Sequence, residues 1–426
     1  MKKSILTFVA ALFALVLSAG VAAQDSKPTL KWYGFVRNFF TFDTRESLSG
    51  VEDLFFYVPR DRKVVNGEDV NAVNSFRFAA LTSRLGLDIN GYQINGWNVD
   101  ARLEMDFHAG VTGVTGVALT RLRQAYVSFA KENFSIKVGQ TWNPMATDLP
   151  VIFDVNSGAP FGPFGRNPQV TAEYKFTDAL SVTGSILWQM QYTSQGPSWD
   201  AASHSYKSAA SADYIKYGLI PELFVGLNYK SGKFLARAGV DMTTIRPRHT
   251  DGASGVKVND RITNISPYMF LQYADGMFTA KFKTIFAQSG EHLFLNGGYG
   301  VTSINADHSW NYTPTRNSSS WLSLSYGKKV QAVFFAGYAR NFGTAQDIIS
   351  PDYLYFNKNS FSNMNAMWRL TPGISYNVGK VTLAFDWEIT SVQYGSWGIG
   401  DKRALATQDL HWITNNRLQA MVRYSF

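Results

Sequence analysis

The feature that most limits how this chain can fold is an apolar–polar alternation of period two, repeated along nearly its whole length, with charges in the middle of the polar face. Trp97, Val99, Ala101, Leu103, Met105 and Phe107 alternate with Asn98, Asp100, Arg102, Glu104, Asp106 and His108. Wound as a helix, these residues would scatter charge over every side. Extended as a strand, they give one apolar and one charged face. The pattern returns at 364–376, 381–390 and 417–426, with shorter matches at 170–176, 180–192, 234–242 and 278–286.

Turn signals divide these runs evenly. Seven short turns fall at 94–96, 131–133, 177–179, 230–232, 275–276, 327–329 and 378–380. Between them lie eight longer connections, at 44–75, 109–118, 141–168, 193–212, 246–260, 288–317, 342–362 and 391–413. Together they join sixteen antiparallel strands, with tight turns on one rim and long loops on the other, as in a transmembrane β-barrel of the bacterial outer membrane. A soluble sandwich would bury its apolar faces and leave the mid-strand charges outside. A lipid-embedded barrel turns the apolar face outward, pairs every backbone group by closure, and hydrates the charges in its lumen. Composition agrees: charged residues are 17% of the chain, against about 25% in soluble domains, and aromatics are 15%. Several aromatics (Trp97, Phe107, Tyr174, Tyr192, Trp368, Tyr376, Tyr424 and Phe426) fall near strand ends, where interfacial girdles form.

The amino terminus reads as a secretory signal peptide over residues 1–23. Lys2 and Lys3 precede an apolar run from Ile5 to Leu17, and Val21-Ala22-Ala23 offers small residues for cleavage. Residues 24–426 then form a single all-β barrel domain. The final Val422-Arg423-Tyr424-Ser425-Phe426 resembles the carboxy-terminal signal read by the outer-membrane insertion machinery.

Several segments resemble the sixteen-stranded trimeric porins, and most of all the DcaP-like porins: Lys31-Trp32-Tyr33-Gly34-Phe35-Val36-Arg37, Ser83-Arg84-Leu85-Gly86-Leu87, 121–127, 138–144 and 158–166. The resemblance is sharp between about 30 and 175, and the chain lacks the amino-terminal coiled-coil stretch of some members. It implies a homotrimer in the outer membrane of a Gram-negative bacterium, facing lipid and lipopolysaccharide, and passive uptake of small hydrophilic solutes, anions among them.

The connection 141–168 is rich in proline, glycine and phenylalanine. Val151-Ile152-Phe153, Phe161 and Phe164 need an apolar partner, so the loop is expected to fold into the barrel as a constriction; a surface loop at a trimer contact is the alternative. Arg84, Arg102, Arg121 and Arg123 are expected to form a basic ladder opposite Asp148 and Asp154, with Arg166 at the end of the loop, giving a transverse field across the pore. The competing reading pairs these arginines with Asp88, Asp100, Glu104 and Asp106 in a merely hydrated wall. Inward Arg121 and Arg123 also conflict with Val127 and Phe129 on the same phase, which a bulge near Gln124 or Ala125 would resolve.

The leading function is therefore a diffusion porin. A substrate-specific channel for carboxylates or phosphate and a non-transporting surface barrel or adhesin are the alternatives. The six histidines (108, 204, 249, 292, 308 and 411) are scattered, so no catalytic constellation, metal site or cofactor site is expected. A net charge of +8 without a basic block argues against nucleic acid.

Overall fold

The computed structural model describes residues 23–24, 27–51, 53–111, 114–356 and 363–426. The signal-peptide expectation falls almost entirely on residues outside this set.

Sixteen antiparallel strands close into one barrel. They are β1 (Thr29–Asp43), β2 (Ser75–Ala79 and Arg84–Ile94, broken in between), β3 (Trp97–Val111), β4 (Val114–Lys131), β5 (Phe134–Trp142), β6 (Arg166–Lys175), β7 (Leu180–Leu187) and β8 (Glu222–Ser231). There follow β9 (Phe234–Ile245), β10 (Ile262–Ala274), β11 (Phe278–Gln288), β12 (Trp310–Gly327), β13 (Val330–Thr344), β14 (Met364–Val378), β15 (Val381–Ser396) and β16 (Gln408–Ser425). Each strand pairs with the next, and β16 returns to β1, with Phe35 opposite Ser425 and Asp43 opposite Arg417. At this seam Gly34 exchanges backbone hydrogen bonds with Phe426. A Cβ on Gly34 would stand 2.7 Å from the Phe426 ring, so the missing side chain is what admits the terminal aromatic.

The alternation is inverted relative to a soluble protein, as lipid demands. On β15, Leu383, Phe385 and Trp387 are 47%, 45% and 43% exposed on the outer wall, while Asp386 and Glu388 between them are 1% exposed inside. The seven tight turns join strands where the sequence places them. The connection expected over 109–118 is different: β3 and β4 continue through it as a ladder, with Val111 opposite Val114.

Three connections fold inward. The segment 143–165 lines the lumen, a hairpin of Ser47–Gly50 and Phe55–Pro59 enters beside it, and the turn 290–295 follows. Their rings meet: Phe294 stacks on Tyr192 at 4.3 Å and stands edge-on to Tyr57 at 4.8 Å, and Phe164 approaches Phe55 at 6.1 Å. Outer loops are held separately by Arg248. Its guanidinium lies 3.6 Å from the centre of the Trp310 ring and bonds Asp260 at 2.9 Å and Asp251 at 3.1 Å.

Candidate functional site

The lumen has two unlike walls. On β2–β4 the arginines meet carboxylates. Arg102 makes a two-pronged bond to its cross-strand partner Asp88, at 2.6 and 3.0 Å. Arg121 does the same with Asp106, at 3.0 and 2.8 Å. Arg123 bridges Glu104 at 2.7 Å and Asp106 at 2.8 Å, and Arg84 lies 3.6 Å from Glu104. The pairing partners are thus Asp88, Glu104 and Asp106. Both Arg121 and Arg123 face inward because the β3–β4 register slips between Leu122 and Gln124. The extra residue resets the phase, so Val127 lies outside, 38% exposed.

Two further arginines on this wall have no carboxylate among the described residues. Arg166, 2% exposed at the start of β6, has its guanidinium 4.6 Å from the centre of the Trp142 ring and 5.6 Å from that of Phe164. Its Nη1 and Nη2 have no hydrogen-bond partner. Arg37 was not singled out from the sequence. Its Nε donates to Thr82 Oγ1 at 2.9 Å, at the break in β2, and its guanidinium lies over Phe35 and Phe39. The outward Trp32, Val36, Phe40 and Phe42 already fix the phase that sends Arg37 inward.

The opposite wall, β9 and β11–β16, holds the loops. Lys283 donates to the carbonyls of Met145 at 2.7 Å and Asp148 at 2.8 Å, and Lys281 to that of Leu149 at 2.9 Å. Ser323 Oγ accepts from Val151 N, and Asp386 from Phe153 N. Phe161 is fully buried between Trp321 and Phe335. Its ring occupies the space over Gly337, where a Cβ would come within 2.5 Å. Arg369 grips both inward loops, donating to Ala159 O at 2.9 Å and Phe56 O at 3.2 Å. Arg417 pairs with Asp43 at 2.9 Å and donates to Leu54 O at 3.1 Å.

The two loop aspartates part company. Asp148 pairs with Arg237 on β9 at 3.3 Å, away from the ladder. Asp154 shares a cavity with it.

Three cavities with shared lining residues follow one another through the barrel. The middle one, about 180 Å³, is bounded by Arg37, Arg84, Arg121, Arg123, Asp106 and Asp154, with Trp142, Phe55 and Phe164. It shares Phe55 and Arg121 with an outer vestibule of about 450 Å³ that adds Arg166, His108, Tyr57 and Tyr192. It shares Trp142 with an inner vestibule of about 530 Å³ reaching the tight turns at 177–180 and 230. Each carries excess positive charge. Four arginines face Asp106, Asp154 and, behind them, Glu104 in the middle, and outside, where Arg121 is already paired with Asp106, Arg166 has no carboxylate partner. Inside, Arg102, Lys137, Lys175, Lys230 and Arg237 face Glu173 and Asp178, with Asp88 and Asp148 paired to Arg102 and Arg237, which leaves an excess of one.

A closed sixteen-stranded barrel with a tight-turn rim and a loop folded into its lumen has the architecture of the trimeric porins. No protein-family model matches the sequence, and no curated protein does. Solved structures do. The chain aligns with the outer membrane channel DcaP of Acinetobacter baumannii at a TM-score of 0.66 and 17% identity, over 95% of this chain and 99% of that one. It aligns with the anion-selective porin from Comamonas acidovorans at 0.53 and 10% identity, over 94% and 100%. In-vitro folded OmpT, an outer membrane protein of Vibrio cholerae in a trimer form, gives 0.51 and 10% identity, over 94% and 100%. At these identities the kinship is one of fold.

Proposed function

We propose that the protein is a passive diffusion channel of the outer membrane, a homotrimer that admits small hydrophilic solutes with a preference for anions. The observation that carries this reading is the positive excess in all three successive cavities, on a barrel whose fold is shared with porins. A lumen lined with one sign of charge between low-dielectric walls concentrates the opposite ion. Arg37, Arg84, Arg121 and Arg123 supply the field in the narrow zone, and Asp106 and Asp154 set its lower limit; Glu104 holds the ladder from behind. Arg166, buried behind Trp142 at the outer side without a carboxylate partner, adds its charge to the field there rather than a contact. The test is planar-bilayer recording of the mature chain across a salt gradient. Conductance that closes in three steps, with a reversal potential on the anion side, is expected. A folded barrel that conducts nothing would overturn the channel, and a reversal potential on the cation side would overturn the preference.

A further inference from the structure

Glu222 opens β8, Asp241 lies on β9, and His292 sits in the turn 290–295 that folds inward, yet the three side chains come together inside the barrel wall. One nitrogen or oxygen atom from each lies within 4.8 Å of the other two. They are buried, at 1%, 1% and 3% exposure. His292 Nε2 is 2.9 Å from Asp241 Oδ2 and 2.9 Å from Thr243 Oγ1, and Asn143 donates to Glu222 Oε1 at 3.0 Å.

The cluster is unfinished in two respects. Glu222 Oε2, Asp241 Oδ1 and His292 Nδ1 are all buried without a hydrogen-bond partner. Charge is unbalanced as well. Glu291, buried beside His292, adds a third carboxylate, and no lysine or arginine forms an ion pair with any of the three among the described residues. Buried carboxylates need a counter-charge or a proton. One proton shared between two carboxyls would answer one acceptor. A divalent cation answers the charge and several lone pairs at once.

We infer that Glu222, Asp241 and His292 form a divalent-metal site that fastens the 290–295 turn and the base of the constriction loop to the β8–β9 wall. One imidazole nitrogen with two carboxylate oxygens is a zinc-type donor set; calcium takes about 6–8 oxygens. Zinc bonds of about 2.0–2.1 Å place tetrahedral ligand atoms roughly 3.3 Å apart. The 2.9 Å His292–Asp241 contact and the 4.8 Å outer limit bracket that spacing. Thr243 Oγ1 or a water completes the shell. The site does not border the solute path described above, so its role is to hold Phe294 in the aromatic cluster that narrows the outer vestibule.

The test uses the mature barrel, folded in the presence of a chelator, freed of it, and titrated with Zn²⁺. One zinc per chain is expected. Asp241→Asn and His292→Gln each lose it, by more than the roughly 10–100-fold that loss of an outer-shell partner costs. Co²⁺ in place of Zn²⁺ is expected to give the visible absorption of a four-coordinate site in the wild type alone. A heat-induced gel shift shows that each variant barrel is folded. Absence of stoichiometric zinc on the folded wild type, or equal zinc on wild type and both variants, overturns the site and leaves a proton shared between Glu222 and Asp241.

Discussion

Replacing Arg37 and Arg84 by glutamine tests the proposed ion preference directly. The pair carries more than the whole excess in the narrow zone: four arginines against Asp106, Asp154 and Glu104 become two against three. Neither change strands a buried acid. Arg37 bonds only Thr82 and backbone-linked groups, and Glu104 keeps Arg123 at 2.7 Å when Arg84 is lost. A unit charge about 6 Å from a permeating ion in a water-filled pore is worth ~0.7 kcal/mol. A Debye length of about 10 Å in 0.1 M salt trims this to ~0.4 kcal/mol. The effect has opposite sign for cation and anion, so two charges move the anion-to-cation permeability ratio by ~1.5 kcal/mol, slightly more than tenfold. In 1 M salt, where the Debye length is about 3 Å, the same substitutions move it only about twofold. The assay is the reversal potential across a KCl gradient at both strengths. A ratio unchanged at low salt, or a shift that persists undiminished at high salt, would refute the argument that this wall sets selectivity.

Phe161→Ala removes the ring seated between Trp321 and Phe335 over Gly337; a buried Phe→Ala change costs about 3–5 kcal/mol, so the constriction loop is expected to loosen and single-channel conductance to rise and become noisy. Arg417→Met leaves Asp43 buried and uncompensated, which costs about 3–5 kcal/mol and should show as a lowered temperature for the heat-induced gel shift. Gly34→Val should slow barrel assembly, read as unfolded chain persisting on the same gel, because the Phe426 ring loses its place at the seam. For the outer loops, burial raises the Asp251 carboxyl, but donors from Ser254, Tyr206 and Arg248 bring it down from 3.8 to about 2. A depressed carboxyl stabilises above its unfolded value, so amides of 246–260 should stay protected down to about pH 4 and open as pH falls toward 2, measured by hydrogen exchange corrected for intrinsic rates.

Strand phase and turn placement were legible because they are local: each outward run such as Leu383, Phe385 and Trp387 fixes its own strand without reference to any other. Less legible was anything decided by how strands meet across the lumen. Arg84, Arg102, Arg121 and Arg123 do share a wall, but which carboxylate each takes depends on register, and the slip at Arg123 leaves no mark in the alternation until Val127. The inward hairpin around Phe55, Phe56 and Val58 carries the same signal as Phe161 and Phe164, an apolar run in a loop. Applied evenly, that signal would have found it. Asp148 fails for a different reason: its partner Arg237 stands four strands further on, and only the inward fold of the loop brings them together. The same holds for His292, which looks stray in the sequence and stands beside Asp241 in space.

The unequal walls have a consequence for how such a channel changes over time. Lys281, Lys283, Arg369 and Arg417 spend their donors on loop carbonyls, which belong to the backbone and are indifferent to which side chains the loops carry. Loop positions other than packed rings such as Phe161 can therefore be rewritten in sequence while these seats persist. Across the lumen, the ladder of Arg37, Arg84, Arg121 and Arg123 stands on strands that bear none of those seats, so its charges can be exchanged without moving the loops. If the proposed selectivity holds, aperture and solute preference rest on separate halves of one barrel, and each can drift while the other stays fixed.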